Sequence, residues 1–159
     1  KAAREDFVFT GVWFDGLEQL PADVELNNDF WSELLLVRTE VNRVIELARK
    51  EKVIGKALEA QVTLYAFAPL AAKLNLLAEE LRFVLITSSV SVEVVSEAPE
   101  GVIATDVEGL WLTVAPSTGT KCDRCWHYSD DIGQHETHDT LCGRCVTNVD
   151  GEGETRQFA

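Results

Sequence analysis

The sequence predicts an α+β fold: a long helix near the N-terminus, a small sheet with helices on one face, and a compact four-cysteine module at the C-terminal end. Three observations carry this expectation. Apolar residues recur at helical spacing between Asp29 and Lys52, a strict apolar–polar alternation begins near Ala57, and all 4 cysteines fall between Cys122 and Cys145. The order helix, strand, helix, then several strands fits helices packed on one sheet.

Taken in order, residues 1–28 are mixed, with an aromatic, β-prone stretch from Phe7 to Phe14 broken by Gly11. The cluster Asn27-Asn28-Asp29 supplies a helix N-cap. The first helix is predicted from Asp29 to Lys52, with Val37, Val41, Val44 and Ala48 on one stripe and Gly55 as its stop. Leu58, Ala60, Val62 and Leu64 then alternate with Glu59, Gln61, Thr63 and Tyr65, the pattern of a half-buried strand. Pro69 suits the first position of a second helix whose buried face is Leu70, Leu74, Leu77 and Leu81. Arg82 to Thr87 reads as a buried strand and Val90 to Val95 as another. Val102–Thr105 and Leu110–Val114 read as a hairpin around Glu108-Gly109. A Ser/Thr/Gly-rich link from Pro116 to Thr120 precedes the cysteines. The expected organisation is a leading segment and long helix over 1–55, a small α+β subdomain over 56–118 and a tail over 119–159.

Length and charge bound the function. A chain of 159 residues can bury one core, or one core with a small satellite. No apolar run approaches the ~20 residues of a membrane helix. The charged start, Lys1 to Asp6, is unlike a signal peptide. The expectation is a cytoplasmic protein with no membrane partner. The absence of methionine points to a chain that is processed or excised from a longer protein. The formal net charge of -13 argues against holding a nucleic acid through the field of the whole domain, so any RNA contact has to come from a local basic surface.

The cysteines read Cys122-Asp-Arg-Cys125, sixteen residues, then Cys142-Gly-Arg-Cys145. Two Cys-x2-Cys pairs at this separation are the four-thiolate zinc pattern. Zinc takes four ligands at tetrahedral angles with sulfur about 2.3 Å away, and two cysteines three positions apart in a tight turn aim both sulfurs at one point. The expected cofactor is one structural zinc per chain in a C-terminal zinc ribbon; four cysteines leave no open position for catalysis. A pair of redox motifs would sit at helix starts in a thioredoxin-like unit, which these surroundings do not resemble. Gly143 is expected to take a positive φ or to permit a close backbone approach. His135 and His138 are alternative ligands in principle, and exposed loop residues on the plainer reading.

Candidate RNA contacts fall in two places. Arg124 and Arg144 hold equivalent positions in the two knuckles, where each either reaches a phosphate or neutralises the zinc–thiolate centre. Trp126 can stack on a base or, with His127 and Tyr128, anchor the module on the sheet. Arg38, Asn42, Arg49 and Lys52 share a narrow arc of the first helix, either a strip following an RNA backbone or an ordinary solvated face.

The runs Lys121-Cys-Asp-Arg-Cys-Trp-His-Tyr128, Cys142-Gly-Arg-Cys145 and Gly151-Glu-Gly-Glu154 resemble the zinc-binding tail of bacterial isoleucyl-tRNA synthetases. Phe30 to Ile45 resembles the last helix of that family's anticodon-binding region, and Ile54–Ala60 through Tyr65-Ala66 the strand after it. Residues 88–118 match least clearly. The resemblance implies a class I, ATP-dependent isoleucine–tRNA ligase, acting as a monomer, whose C-terminal region sits near the anticodon stem-loop and whose zinc module supports tRNA recognition and aminoacylation. Its partners would be the isoleucine tRNA and the rest of the synthetase chain. The family's Lys-Met-Ser-Lys-Ser loop needs a methionine, and Glu136-Thr137 stand between His135 and His138 where its His-x-Gly-His motif has a glycine, so no catalysis is expected of this chain alone. Two other readings stand beside this one: a zinc finger like that of formamidopyrimidine-type DNA glycosylases, and a structural or protein-docking ribbon with no RNA contact.

Overall fold

The computed structural model describes residue 9 and residues 11–158. Of the aromatic stretch Phe7–Phe14, residues 7, 8 and 10 lie outside the described residues. Val12, Trp13 and Phe14 are exposed and form no strand.

Helix α1 spans Asn28–Lys50. The Asn27 side chain accepts a hydrogen bond from the Phe30 N–H at 3.0 Å, Asp29 stands in the first turn, and Arg49 and Lys50 stand in the last, so cap and charges both complement the helix dipole. Phe30, Leu34, Val37, Val41, Val44, Ile45 and Ala48 form its buried stripe. The helix ends earlier than expected, and the residue that turns left-handed is Lys52, at φ 62°, rather than Gly55.

A short 3-10 turn at Ala57–Glu59 takes Leu58 out of the expected strand, and β1 runs Ala60–Ala66. Its buried residues Ala60, Val62, Leu64 and Ala66 alternate with Gln61, Thr63 and Tyr65, which face the other side. Helix α2 covers Ala68–Asn75, with Pro69 in its first turn. Leu70, Leu74, Leu77 and Leu81 are all buried as expected, but α2 stops short of the last two and Ala78 has φ 44°.

The segment expected as a strand over 82–87 is instead helical: α3 is Leu81–Leu85, closed by Ile86 at φ 57°. Leu77, Leu81 and Leu85 recur every four residues and are each at most 2% exposed, a helical period that a short apolar run conceals. Strand β2 (Ser89–Val94) pairs parallel with β1, and the expected hairpin forms from β3 (Ile103–Ala104) and β4 (Leu110–Pro116). Gly109, at φ 70°, is required at the end of the β3–β4 turn, since a Cβ there would lie 2.5 Å from the Phe67 ring. The sheet order is β2-β1-β4-β3, with β4 antiparallel to β1, and the helices cover its apolar face in one core from Phe30 to Leu112. Among the described residues no helix is long and apolar enough to cross a membrane.

The tail adds β5 (Thr120–Lys121) paired with β6 (Tyr128–Ser129), and helix α4 (Gly143–Asp150). It is fastened to the core at three points, one of them the packing of His127, Arg144 and Arg156 against Phe83. The Tyr128 N–H donates to the buried Ser88 hydroxyl at 2.7 Å, and that hydroxyl donates to the Leu58 carbonyl. The chain end returns to the start of α3, where the Gln157 and Phe158 N–H groups donate to the two Glu80 carboxylate oxygens at 2.7 Å each.

Candidate metal centre

Two knuckles bring the four thiols together. In the first, β5 delivers Cys122 and the chain folds back so that the Trp126 N–H donates to the Cys122 carbonyl at 3.0 Å and the Cys122 N–H to the His127 carbonyl at 2.9 Å. In the second, Cys142 is the N-cap of α4 and Cys145 lies in its first turn. All four sulfur atoms lie within 4.8 Å of one another. The Cys125 and Cys142 sulfurs are 3.7 Å apart, close to the ~3.8 Å edge of a tetrahedron with zinc–sulfur bonds of about 2.3 Å. Cys122, Cys142 and Cys145 are buried and Cys125 half-buried, and none forms a disulfide. Thiols at this spacing, enclosed and unbridged, fit one structural zinc ion and leave no ligand position for water. His135 and His138 stand outside the set, bonded to Asp131 at 3.2 Å and Asp150 at 2.6 Å.

The surroundings are arranged for negative sulfur. Burial pushes the Cys122 thiol up, but the N–H groups of Cys125, Cys142 and Arg124 outweigh it and hold the thiol at about 6. Burial pushes Cys142 up to about 12, so a metal has to displace its proton. Arg124 Nη1 donates to the Cys145 sulfur at 3.6 Å, across from its own knuckle. Arg144 pairs with Glu154 at 3.1 Å, lies 5.1 Å from the centre of the Phe83 ring, and is held charged, against its burial, first by Cys125. Both knuckle arginines are thus engaged with the centre and its supports.

The other candidate residues are scattered. Arg38 is half-buried, with an Nε that has no partner among the described residues. Arg49 is tied to Glu46 at 2.7 Å and to the Gly55 carbonyl at 3.1 Å, and Lys52 is exposed. Trp126 differs from all of these. It is 57% exposed, has φ 66°, and carries the Lys121 ammonium 5.2 Å from its ring centre. A shallow hollow beside it is lined by Lys56, Leu58, Glu59, Lys121 and Tyr128. The neighbours of Trp126 do anchor the module: His127 packs edge-on against Phe83 at 5.7 Å, and Tyr128 reaches Ser88.

Sequence reasoning missed several supporting residues. Asp131 accepts from the Ser129 hydroxyl at 2.5 Å and from the Gly143 N–H at 2.7 Å, so it caps α4 and steadies the second knuckle. Gly143 is not left-handed; it is needed because a Cβ would lie 2.9 Å from Asp131. Within the two knuckles, the residue with the left-handed backbone is Trp126. Phe83 and Glu154 gather Arg144 and Arg156 at the joint with the core. An Asp ahead of a Cys-Gly-Arg-Cys knuckle is a usable signal for the first of these; the Phe83 joint has none.

Paired knuckles with four convergent thiols are the arrangement of a zinc finger, and residues 119–148, which include all four cysteines, match the family described as a zinc finger found in FPG and IleRS. The relatives say which kind. Over 98% of its length the chain is 63% identical to the isoleucine–tRNA ligase of Colwellia psychrerythraea, of which it covers 17%. It is 57% identical to that of Vibrio campbellii over 98% of the chain and 17% of the relative, and 56% identical to that of Aeromonas hydrophila over 98% and 16%. Over nearly its whole length the chain is therefore similar to a segment of bacterial isoleucine–tRNA ligases, and it spans about a sixth of the length of these relatives. The resemblance read from its cysteine runs is borne out. The same finger type occurs in FPG, but the relatives matched over 98% of this chain are isoleucine–tRNA ligases, which favours that reading over the DNA-glycosylase one.

Proposed function

We propose that this chain is the tRNA-holding segment of an ATP-dependent, cytoplasmic, monomeric isoleucine–tRNA ligase, with residues 1–55 closing its anticodon-binding helical region, 56–118 forming an α+β subdomain and 119–159 the zinc tail. The single observation that carries this reading is Trp126. A non-glycine residue in the left-handed region costs roughly 1–2 kcal/mol, and an indole left 57% exposed, with Lys121 over its ring, offsets that strain with little burial. An indole presented in this way beside Lys121 and Lys56 offers a stacking face for an unpaired base with cationic charge for its phosphates. The basic surface is local, as the overall charge of -13 requires. The zinc holds the knuckle that displays it, while Arg124 and Arg144 balance the thiolate charge.

The test is Trp126→Gly in the zinc-loaded chain, titrated with isoleucine tRNA at several salt concentrations. Glycine accepts φ 66° without strain, so the variant keeps its zinc and its thermal midpoint holds or rises. Its tRNA affinity falls about tenfold or more, the scale of one lost base stack. Affinity equal to the wild type would instead favour the docking ribbon, a reading that gains weight because both knuckle arginines are turned toward the zinc centre and its supports.

A further inference from the structure

Tyr128 separates two recesses. On one side is the Trp126 hollow; on the other is a cleft of about 340 Å³ lined by Gln61, Arg82, Ser89, Ser117, Thr118 and Asp130. It lies where the sheet, α3, the link after β4 and the zinc module meet. Its volume is at the small end of ligand sites, about 300–1,000 Å³, the scale of a single nucleotide. Ser88 and Ser129, which also line it, are already hydrogen-bonded, but the side chains of Gln61, Ser89, Ser117, Thr118 and Asp130 make no hydrogen bond or ion pair with other described residues, so the cleft keeps hydrogen-bonding capacity the fold does not use. Arg82 makes no ion pair there either. Its guanidinium lies 4.9 Å from the centre of the Phe83 ring, its Nη1 reaches the Ser88 carbonyl at 3.4 Å, and its Nε is buried with no hydrogen-bond partner among the described residues.

The cleft thus pairs one cation with one carboxylate among neutral polar groups. A complementary ligand carries an anion for Arg82 and an edge of donors for Asp130, whose two oxygens only accept. Guanine presents N1–H and its 2-amino group side by side. Adenine and cytosine offer a single amino group next to an acceptor, and uracil a single imino group between two carbonyls. Gln61 can both donate and accept at the remaining edge. We propose that this cleft takes one unstacked guanosine nucleotide of an RNA single strand, phosphate toward Arg82 and base edge on Asp130, adjacent to the nucleotide stacked on Trp126. The proposal rests on the RNA-holding reading above for its ligand's origin, and splayed bases read edge-on beside an aromatic platform are the usual mode of single-stranded RNA recognition.

Two arms test it on the zinc-loaded chain. In the first, guanosine 5′-monophosphate is titrated while the Gln61 side-chain amide is followed by NMR. Its signal shifts with guanosine, much less with uridine 5′-monophosphate, and not at all in Asp130→Asn. No shift, or a shift that persists in Asp130→Asn, overturns the proposal. In the second, Asp130→Asn binds isoleucine tRNA roughly tenfold more weakly, the scale of one lost bidentate base contact. The sign is diagnostic, since removing a carboxylate would otherwise tighten the binding of a polyanion. Wild-type affinity in Asp130→Asn alongside weakened binding by Trp126→Gly discards the guanosine site and keeps the RNA-holding function. If the wild-type chain binds no tRNA, the functional reading fails and the mononucleotide arm alone decides the cleft.

Discussion

The sheet-and-helix core and the zinc module are held together by different physics. In the core, central strand β1 buries Ala60, Val62, Leu64 and Ala66 completely, and α1 lays seven apolar residues against the same layer. Its stability is a matter of apolar area removed from water. In the module, the buried cluster among the described residues is Cys122, Cys142 and Cys145, with Ile132 and Leu141 as apolar neighbours beside Cys125. So few carbon atoms cannot offset the conformational entropy of about 40 residues, whereas four thiolate–zinc bonds can. One chain thus contains a region that tolerates chelator and a region that does not.

The sharpest way to break this comparison is to remove the metal, by chelation or through Cys142→Ser. Structural zinc supplies about 10–16 kcal/mol of apparent binding free energy in small modules, so residues 121–158 should lose protection from proteolysis and hydrogen exchange. The core should keep both, because only the Ser88 and Glu80 fastenings and the Phe83 joint would be released. A metal-free chain with an ordered tail would show that the knuckles fold on their hydrogen bonds alone. The converse variant is Leu64→Ala. It leaves a cavity at the centre of the sheet and should cost about 2–5 kcal/mol of core stability in urea unfolding, with one zinc still bound per folded chain. Loss of zinc at the same urea concentration as loss of the core would mean that the two regions unfold as one unit.

The two regions also differed in how far they could be read from sequence, for the same reason. Apolar periodicity reports burial, so α1, β1, β2, the β3–β4 hairpin and the buried leucines of α2 and α3 were all legible. The pattern misled where the run was too short to distinguish periods, turning α3 into a strand, and where a non-glycine residue took the left-handed role, placing the α1 stop at Gly55 rather than Lys52. In the module, ligand identity and spacing were legible because tetrahedral coordination fixes both. The electrostatic supports were not. Arg124 crosses to the opposite knuckle, Asp131 caps a helix that starts twelve residues later, and Glu80 fastens a chain end 77 residues away. Such bonds follow from the folded path and leave no periodic trace. Trp126 was legible as a candidate; the feature that singles it out, an exposed ring on a strained backbone, required coordinates.

The smallest expected effect concerns acid. Glu40 is buried on α1 and paired with Arg43 at 2.8 Å; that hydrogen bond, outweighing burial, holds its carboxyl below the usual glutamate range. A carboxyl depressed by folding stabilises the folded state above its unfolded pKa, near 4.3, and loses that contribution as pH falls through the lower folded value. Glu40→Gln should therefore destabilise the core by about 0.5 kcal/mol at neutral pH, the scale of a helical i,i+3 ion pair, with the difference closing below pH ~4. A difference that widened on acidification would mean that folding favours the protonated carboxyl, against the pull of Arg43 and the Asp106 N–H. The module should respond to acid earlier and more strongly. Without metal, backbone N–H groups hold the Cys122 thiol at about 6 and burial pushes Cys142 up to about 12, so zinc binding should show proton competition well above the range in which Glu40 matters. Acidification should accordingly release zinc and unravel the tail while the core remains folded, separating by pH the same two regions that a chelator separates.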